Sequence, residues 1–459
     1  LYHILSEPLL EELISYNDVG NFDRCLTKGT LITTDNGYKP VEEIRVGDKV
    51  LTHTGALKSV TWVDKHEHEG FAANIRLVGD YRTLMCTDNH PILTAYTKYK
   101  KHCFRKDAIK NIEYLRADQL TYKYQFGLLP KRKGLKDIGL SPDMLYVLGW
   151  IMADGYVQSY GNVVKITFQG NQLNCAKRCL TIIEDYIKDE KYYYSSNGAR
   201  RIERKPGHIE SFKNGVYKHD LIVCSKKLHS LAVWFGCNPN HKVLNPAVYN
   251  NYGNLMPFII GWLEGDGHQR LNANYDGYTR NGIELTTIYE DLIHQCRQIL
   301  IDHGIYSSIR KIPQRRENHQ TQYGILISNE YVNKTLSFYE SYKYQTVQIA
   351  KQTAKNIETE DGFWVPIKLL GLRKIKEPVY NFEVRDDHTY VANGITTHNC
   401  MALMQVMIYR EQLFNVVVKK KEKENKSRML FDGPIFAQNW FEDKPQSSML
   451  DDNVYTFGT

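Results

Sequence analysis

The hydrophobic pattern changes period several times along this chain. In residues 1–24, Leu9, Leu10, Leu13 and Ile14 recur at helical spacing and stop at a Gly-Asn turn. From Cys25 the period shortens to that of strands. Thr30-Leu31-Ile32-Thr33, Val41 to Ile44 and Val46-Gly47-Asp48-Lys49-Val50-Leu51 alternate with turn residues, and Asn36-Gly37 predicts a hairpin. A further β segment ends in Cys86-Thr87-Asp88-Asn89-His90-Pro91-Ile92-Leu93-Thr94, and Tyr390-Val391-Ala392 predicts a strand just before residue 400.

Between these β-rich stretches the helical period returns, and it returns twice. Leu145-Tyr146-Val147-Leu148-Gly149-Trp150-Ile151-Met152-Ala153-Asp154-Gly155 is echoed by Phe258-Ile259-Ile260-Gly261-Trp262-Leu263-Glu264-Gly265-Asp266-Gly267. Each copy precedes a β-like run and an amphipathic helix: Val163 to Phe168 then Leu173 to Ile187, and Gly282 to Thr287 then Leu292 to Ile301. Gly149 and Ala153, like Gly261 and Gly265, share one helix face, so two such helices can touch closely about a pseudo-two-fold axis. Asp154 and Asp266 then meet at the helix ends.

Composition narrows the class. A chain of 459 residues has room for about three domains and for well-buried cores. It starts at Leu1 without a charged n-region and apolar h-region, and reads as an internal fragment of a longer product. No apolar run reaches the roughly 20 residues of a membrane span, so a soluble protein is expected. The net charge of +7 matters because it is clustered: residues 96–136 hold twelve Lys/Arg against three Asp/Glu, interleaved with Tyr and Phe. That mixture suits either phosphate contacts or a solvated linker. Nine cysteines without a paired C-x-x-C spacing argue against a disulfide framework and a zinc site, and point to a reducing compartment. Cys175 and Cys179, at helical spacing, read as half-buried residues of an amphipathic helix.

The chemistry concentrates at two places. In Thr396-Thr397-His398-Asn399-Cys400, Asn399 can attack its own carbonyl carbon through the side-chain nitrogen, closing a succinimide and releasing the downstream chain. His398 is placed to polarise that carbonyl or protonate the leaving group, and Cys400 can carry an acyl group as a thioester. The second place is the Asp154/Asp266 pair. Two carboxylates brought together do not both ionise cheaply without a cation. A divalent metal, Mg2+, held by both would engage DNA phosphate and activate water for phosphodiester cleavage.

Three segments carry a resemblance. CLTKGTLITTDNGYKPVEEIRVGDKVL from Cys25 resembles the first block of inteins, CTDNHPILT resembles their T-x-x-H block, and VYNFEVRDDHTYVANGITTHNC resembles their C-terminal blocks. The resemblance implies a β-rich, Hint-type horseshoe that brings both ends of residues 25–399 to one site. It implies that Cys25 attacks the Arg24 carbonyl, with Thr87 and His90 assisting; Cys400 then takes the acyl group and Asn399 cyclises beside His398. An S-to-N shift joins Arg24 to Cys400, without cofactor. Where inteins often have Asp, this chain has Asn381, which hydrogen-bonds but cannot act as a base; His388 fills the later block position and is expected to share the proton traffic.

The duplicated helices resemble LAGLIDADG homing endonucleases, which are commonly nested in inteins. That resemblance implies an α+β, pseudo-two-fold domain whose partner is double-stranded DNA at the intein-free host gene. His241-Lys242-Val243-Leu244-Asn245-Pro246 resembles a family block whose lysine assists the reaction, making Lys242 the candidate for stabilising phosphate charge or activated water. Basic runs at Arg200 to Lys205 and Arg310 to Arg316 are expected beside sheets that enter the major groove.

After residue 400 the apolar spacing is helical again. Joining Asn21-Phe22-Asp23-Arg24 to Cys400-Met401-Ala402-Leu403-Met404 gives the start of one helix, similar to the nuclease region of phage large terminase subunits, with Asp23 a candidate metal ligand there. The expected organisation is mixed: mainly helical flanks 1–24 and 400–459, a splicing domain in two parts, 25–135 and 351–399, and an endonuclease domain 136–350. The expected molecule is a monomer in the cytoplasm of a phage-infected bacterium. The rival readings are an intein whose endonuclease has decayed to DNA binding, and an autoprocessing domain that cleaves without ligating.

Overall fold

The computed structural model describes residues 24–97, 109–121, 125–159, 161–190, 193–196, 200–203, 207–214, 216–238, 240–275, 278–314, 320–347 and 356–399. Cys400, Asp23 and the two flanks expected to be helical lie outside the described residues.

The β-period of the outer segments produces one sheet of 13 strands. Its backbone is a pair of long antiparallel strands, Leu57–Leu77 and Gly362–Val384, in register from Leu77 opposite Ile367 to Val60 opposite Val384. Successive side chains alternate between faces: along the first strand Asp64, His66 and His68 point away from solvent while Val63, Lys65, Glu67 and Glu69 are exposed. Apolar residues from both outer segments, among them Leu26, Ile32, Val60, Ile75, Phe382 and Tyr390, share one core. Phe382 and Tyr390 pack ring to ring at 4.1 Å.

This sheet brings remote parts of the chain together. The short strand Leu26–Thr27 pairs with both the long strand, at Tyr380, and the strand Leu84–Thr87, at Cys86. The strand Ile395–His398 folds back on Thr389–Ala392 and pairs at Thr397 with Ile92 of Pro91–Thr97. The turn between them, Asn393-Gly394, has φ of 45° and 78°, the left-handed geometry that a tight hairpin demands of Asn-Gly. The Asn393 side chain also accepts from Leu31 N–H and donates to the Thr83 carbonyl, tying the hairpin to its neighbours.

The middle of the chain forms two repeats of one topology. Helices Pro142–Asp154 and Met256–Asp266 pack along each other. A Cβ on Gly149 would strike the Phe258 carbonyl oxygen, and one on Gly261 would strike the Tyr146 carbonyl oxygen. Only glycine permits this approach. Ser141 caps the first helix, accepting from Met144 N–H at 3.1 Å. Each helix feeds a four-stranded antiparallel sheet whose strands, counted in chain order within the repeat, lie 1-2-4-3. The amphipathic helices fall at Leu173–Tyr186 and Glu290–Asp302.

The two regions are riveted by buried charge. Asp80 pairs with Arg82 at 2.8 Å and with Arg297; Arg132 pairs with Asp302 at 2.7 Å; and Tyr81 donates to Glu290 at 2.6 Å. These contacts alter the reading of the basic segment 96–136. Of its described cations, Lys131, Arg132 and Lys133 pair with Glu358, Asp302 and Asp361 and tie segments together, Arg116 pairs locally with Asp118, and Lys136 is exposed; Lys98, Lys100, Lys101, Arg105, Lys106 and Lys123 lie outside the described residues. Arg310 likewise pairs with Glu284, which also takes Arg270. Arg204, Lys205, Arg315 and Arg316 lie outside the described residues. Cys175 and Cys179 are fully buried rather than half-buried, because the helix that carries them packs against the first paired helix.

Candidate active sites

At the first site Cys25 is completely buried. Its amide N–H, half of the Arg24–Cys25 peptide, donates to Thr87 Oγ1 at 3.0 Å, and Thr87 N–H returns a bond to the Cys25 carbonyl at 2.9 Å. Thr87 Oγ1 donates onward to Asn89 Oδ1 at 3.0 Å, which fixes its lone pair on the Cys25 amide. His90 follows on the same turn, its N–H bonded to the Thr87 carbonyl at 3.1 Å.

His90 faces both ends of the segment. Its Nε2 is hydrogen-bonded to Thr397 Oγ1, two residues before Asn399. Burial pushes the ring down to about 3, opposed by the nearby Arg24 main-chain carbonyl and reinforced by the Arg24 and His398 charges. Asn399 is buried, and its N–H donates to the His388 carbonyl at 2.9 Å. His398 Nδ1 lies 2.8 Å from the Asn399 carbonyl oxygen, the group that succinimide closure attacks. Tyr114 stands edge-on to the His398 ring at 4.6 Å, and burial pushes that ring down to about 4.

His388 holds a φ of 52°, a conformation costly for a residue with a Cβ. The geometry stacks its ring on His398 at 6.3 Å and brings Nδ1 within 3.1 Å of Glu383 Oε1. Burial raises the Glu383 carboxyl, while His388 and the neighbouring Asn399 amide pull it down. Asn381 is spent locally, its Oδ1 accepting from Phe382 N–H at 2.9 Å. Glu383, Thr397 and Asn89 were not singled out in the sequence. Glu383 sits two residues beyond Asn381 on the same strand face, which is the signal that points to it.

At the second site the helix ends bring Asp154 and Asp266 together. Burial raises both carboxyls, and the Asp154 charge helps push Asp266 up to about 6. Trp262 Nε1 donates to Asp266 at 3.0 Å. Gly155 and Gly267, just beyond, are extended and leave no room for a Cβ against the last helical turn. Lys242 is partly buried and caps the first helix, its Nζ 2.8 Å from the Met152 and Ala153 carbonyls. Lys343, which carries no sequence motif, does the same for the second helix, 2.7 Å from the Glu264 and Gly267 carbonyls. Burial lowers both lysines, and both aspartates pull them back up. The duplication was the signal for Lys343: a lysine bound to the first Asp-Gly end calls for one at the second.

Among the described residues no cluster of three or more His, Cys, Asp and Glu is arranged to hold a metal. The Asp154/Asp266 pair nevertheless fits a hard cation, since the Asp154 charge raises the proton affinity of Asp266 and backbone carbonyls stand alongside; phosphate and water would complete the shell. Also among the described residues, no helix is long and apolar enough to cross a membrane.

Residues 24–78 match the family model of the Hint domain, and residues 254–337 match that of the LAGLIDADG-like domain. The architecture is intein-like. The chain is 24% identical over 395 residues to an iron-sulfur cluster assembly SufBD family protein of Mycobacterium tuberculosis, covering 82% of this chain and 43% of that protein. It is 23% identical over 420 residues to an ATP-dependent DNA helicase of Thermococcus kodakarensis, covering 82% and 36%. With a DNA polymerase of Methanocaldococcus jannaschii the identity is 26% over 417 residues, covering 84% and 23%. The chain thus spans less than half the length of these relatives. Among solved structures it is similar to the homing endonuclease I-WcaI bound to its DNA recognition sequence, at 15% identity and TM-score 0.31, over 45% of this chain and 84% of that one. Variants of the homing endonuclease I-DmoI match at 17% identity and TM-score 0.30, over 43% and 94%.

Proposed function

We propose that residues 25–399 excise themselves and join Arg24 to Cys400, and that the duplicated middle region cuts double-stranded DNA at the intein-free site of the host gene. The observation that carries the splicing half is the turn Thr87 to His90, which holds the Cys25 amide through Thr87 Oγ1 and engages Thr397, two residues before Asn399, through His90 Nε2. One turn therefore reaches both junctions.

In this mechanism the Cys25 thiol attacks the Arg24 carbonyl and forms a thioester. Thr87 accepts from the Cys25 N–H and holds the scissile peptide in place. Burial that keeps His90 neutral makes its protonated form a strong acid, so a proton it receives passes on to the departing amine. Cys400 takes the acyl group. Asn399 then cyclises, with His398 at its carbonyl and Glu383 and His388 alongside to manage the amide proton. An S-to-N shift completes the ligation.

In the nuclease half, Asp154 and Asp266 would hold Mg2+, which supplies charge neutralisation at phosphate and an activated water. Lys242 and Lys343 fix the helix ends and place an ammonium beside each carboxylate. The curated relatives favour a portable element: proteins named for iron-sulfur assembly, a helicase and a polymerase share with this chain about the same fraction that residues 25–399 make up. The terminase-like reading of residues 1–24 and 400–459 is part of the same proposal and concerns the host alone.

Expression of the full chain followed by intact-mass measurement tests the splicing half. A ligated flank and a 25–399 fragment are expected, and neither from the Cys25→Ala chain. Only uncut precursor from the unsubstituted chain would overturn it. For the nuclease half, folded protein with Mg2+ and DNA spanning the uninterrupted host gene should give one break, and intact DNA would reject it.

A further inference from the structure

One strand face near Cys25 is unused by the mechanism above. His66 Nε2 lies 3.9 Å from Cys25 Sγ, and His66 Nδ1 lies 2.8 Å from Asp64 Oδ2. The three groups form a chain of thiol, imidazole and carboxylate, the order in which a base activates a sulfur nucleophile and is itself oriented by a third group. The arrangement is a product of the pleat. Asp64 and His66 are two apart on the long strand Leu57–Leu77, so their side chains share a face, and that face turns toward Cys25. By register, Asn381 lies opposite Asp64 and Val379 opposite His66. Asn381 cannot take a proton, and its oxygen is committed to Phe382 N–H.

We propose that His66 is the base that deprotonates Cys25 for the first acyl shift, and that Asp64 is the positioning residue that holds it. This rests on the splicing reading and deepens it. The thiol proton passes from Sγ to His66 Nε2. The thiolate forms the bond to the Arg24 carbonyl carbon and the bond from that carbon to the Cys25 nitrogen breaks; the nitrogen gains a proton that His90 relays from solvent, and His66 releases the sulfur proton to solvent, so the proton count closes. No oxidant, reductant or metal enters the balance. Nδ1–H stays on the Asp64 carboxylate throughout, which fixes the tautomer with Nε2 toward the sulfur. His90 is unsuited to this role: it is bound to Thr397 and pushed down to about 3 by burial, whereas His66 is only partly buried.

The division of labour is then one histidine for each proton. His66 removes the proton from sulfur and His90 delivers one to nitrogen. The groups facing His66 are Asp64 and His68 on its own strand, Glu377 and Asn381 diagonally across the pair by register, and Arg24 and Cys25 at the junction.

The test uses the full chain carrying Asn399→Ala, so that the thioester persists, and measures cleavage after Arg24 by dithiothreitol as a function of pH. His66→Gln should slow cleavage roughly 10²-fold near neutral pH and leave a rate that climbs only as a free thiol ionises, around pH 8.5. Asp64→Asn should slow it less, and Asp64→Glu, which keeps a carboxylate acceptor for Nδ1–H, should recover most of the rate; a purely structural role would not be rescued by the longer side chain. Asn399 cyclisation, followed in Cys25→Ala chains with and without His66→Gln, reports that the site still folds and should keep its rate. Equal thiolysis rates and an unmoved limb in His66→Gln would overturn this proposal while the parent chain still splices. A parent chain that neither splices nor undergoes thiolysis would overturn the splicing reading and this proposal with it.

Discussion

The two sites solve opposite electrostatic problems with the same construction. Each is assembled from segments far apart in sequence, Cys25 against His398 and Asn399 in one, Asp154 against Asp266 in the other. At the splice junction burial removes charge: His90 and His398 are pushed down to about 3 and about 4 and are neutral at ordinary pH. At the helix ends charge survives burial: desolvation and the Asp154 charge push Asp266 up to about 6, so the carboxyl still ionises at ordinary pH. On the proposed splicing reading, the first site needs only groups of the chain itself: nucleophile, amide and proton carriers. The second is incomplete by design, two anions in want of a cation and a phosphate. A site that reacts once with its own backbone can be sealed, whereas one that receives DNA must stay under-compensated.

The largest effect should come from breaking the sealed site. Asn399→Ala removes the only nitrogen that can close the succinimide, so intact-mass measurement of the full chain should find no ligated product. DNA cleavage by the same variant should be unchanged, which separates the two sites functionally. The converse substitution, Asp266→Asn, should leave splicing intact and lower DNA cleavage by on the order of 10²- to 10³-fold, read on plasmid substrate in saturating Mg2+. Loss of both activities in either variant would show that the sites are coupled.

Legibility in the sequence tracked locality. Thr87, His90, His398 and Asn399 sit inside short contiguous blocks, and the duplicated Asp-Gly helices announce themselves by repetition. The Gly149/Gly261 crossing was legible because helical spacing alone places small residues on one face. What escaped notice was set by tertiary pairing. Lys343 lies 77 positions beyond Asp266, with no motif of its own, and acquires meaning only when its ammonium caps the second helix. Asp64 and His66 sit in a run, Asp64-Lys65-His66-Glu67-His68-Glu69, that reads as a solvated strand until the pleat turns one half of it inward. In the basic segment 96–136 composition showed cations, and only the fold supplied the carboxylates of Lys131, Arg132 and Lys133.

The helix crossing offers a sharper test of how the second site is held. Gly261→Ala puts a methyl against the Tyr146 carbonyl and must push the helices apart. It should destabilise the middle region by about 3 kcal/mol in urea unfolding and reduce DNA cleavage, because the carboxylates separate with the helices. Gly134→Ala, where nothing lies within 4 Å of the new Cβ, supplies the contrast: φ of 75° strains the backbone, but no helix contact is disturbed.

The smallest effect, and the one most specific to the comparison, is opposite pH dependence in one chain. A histidine whose folded value is below the ordinary 6.5 binds protons more readily when unfolded. As pH falls from about 6.5 toward 4, His90 and His398 therefore destabilise the outer sheet, each by up to about 1.4 kcal/mol per pH unit. A carboxyl raised from 3.8 to about 6 does the reverse, binding protons more readily when folded. Over the window from about pH 6 to 4, Asp266 protonation should stabilise the middle region. Hydrogen exchange of peptides from each region, corrected for intrinsic exchange rates, should show protection falling in residues 84–97 and rising in residues 256–266 as pH drops from 6.5 to 4. Added Mg2+ at pH 7 should raise protection in the second set, since it replaces the proton between the carboxylates. His90→Gln and Asp266→Asn should each flatten the trend in its own region and leave the other sloping, which ties each sign to the group that causes it.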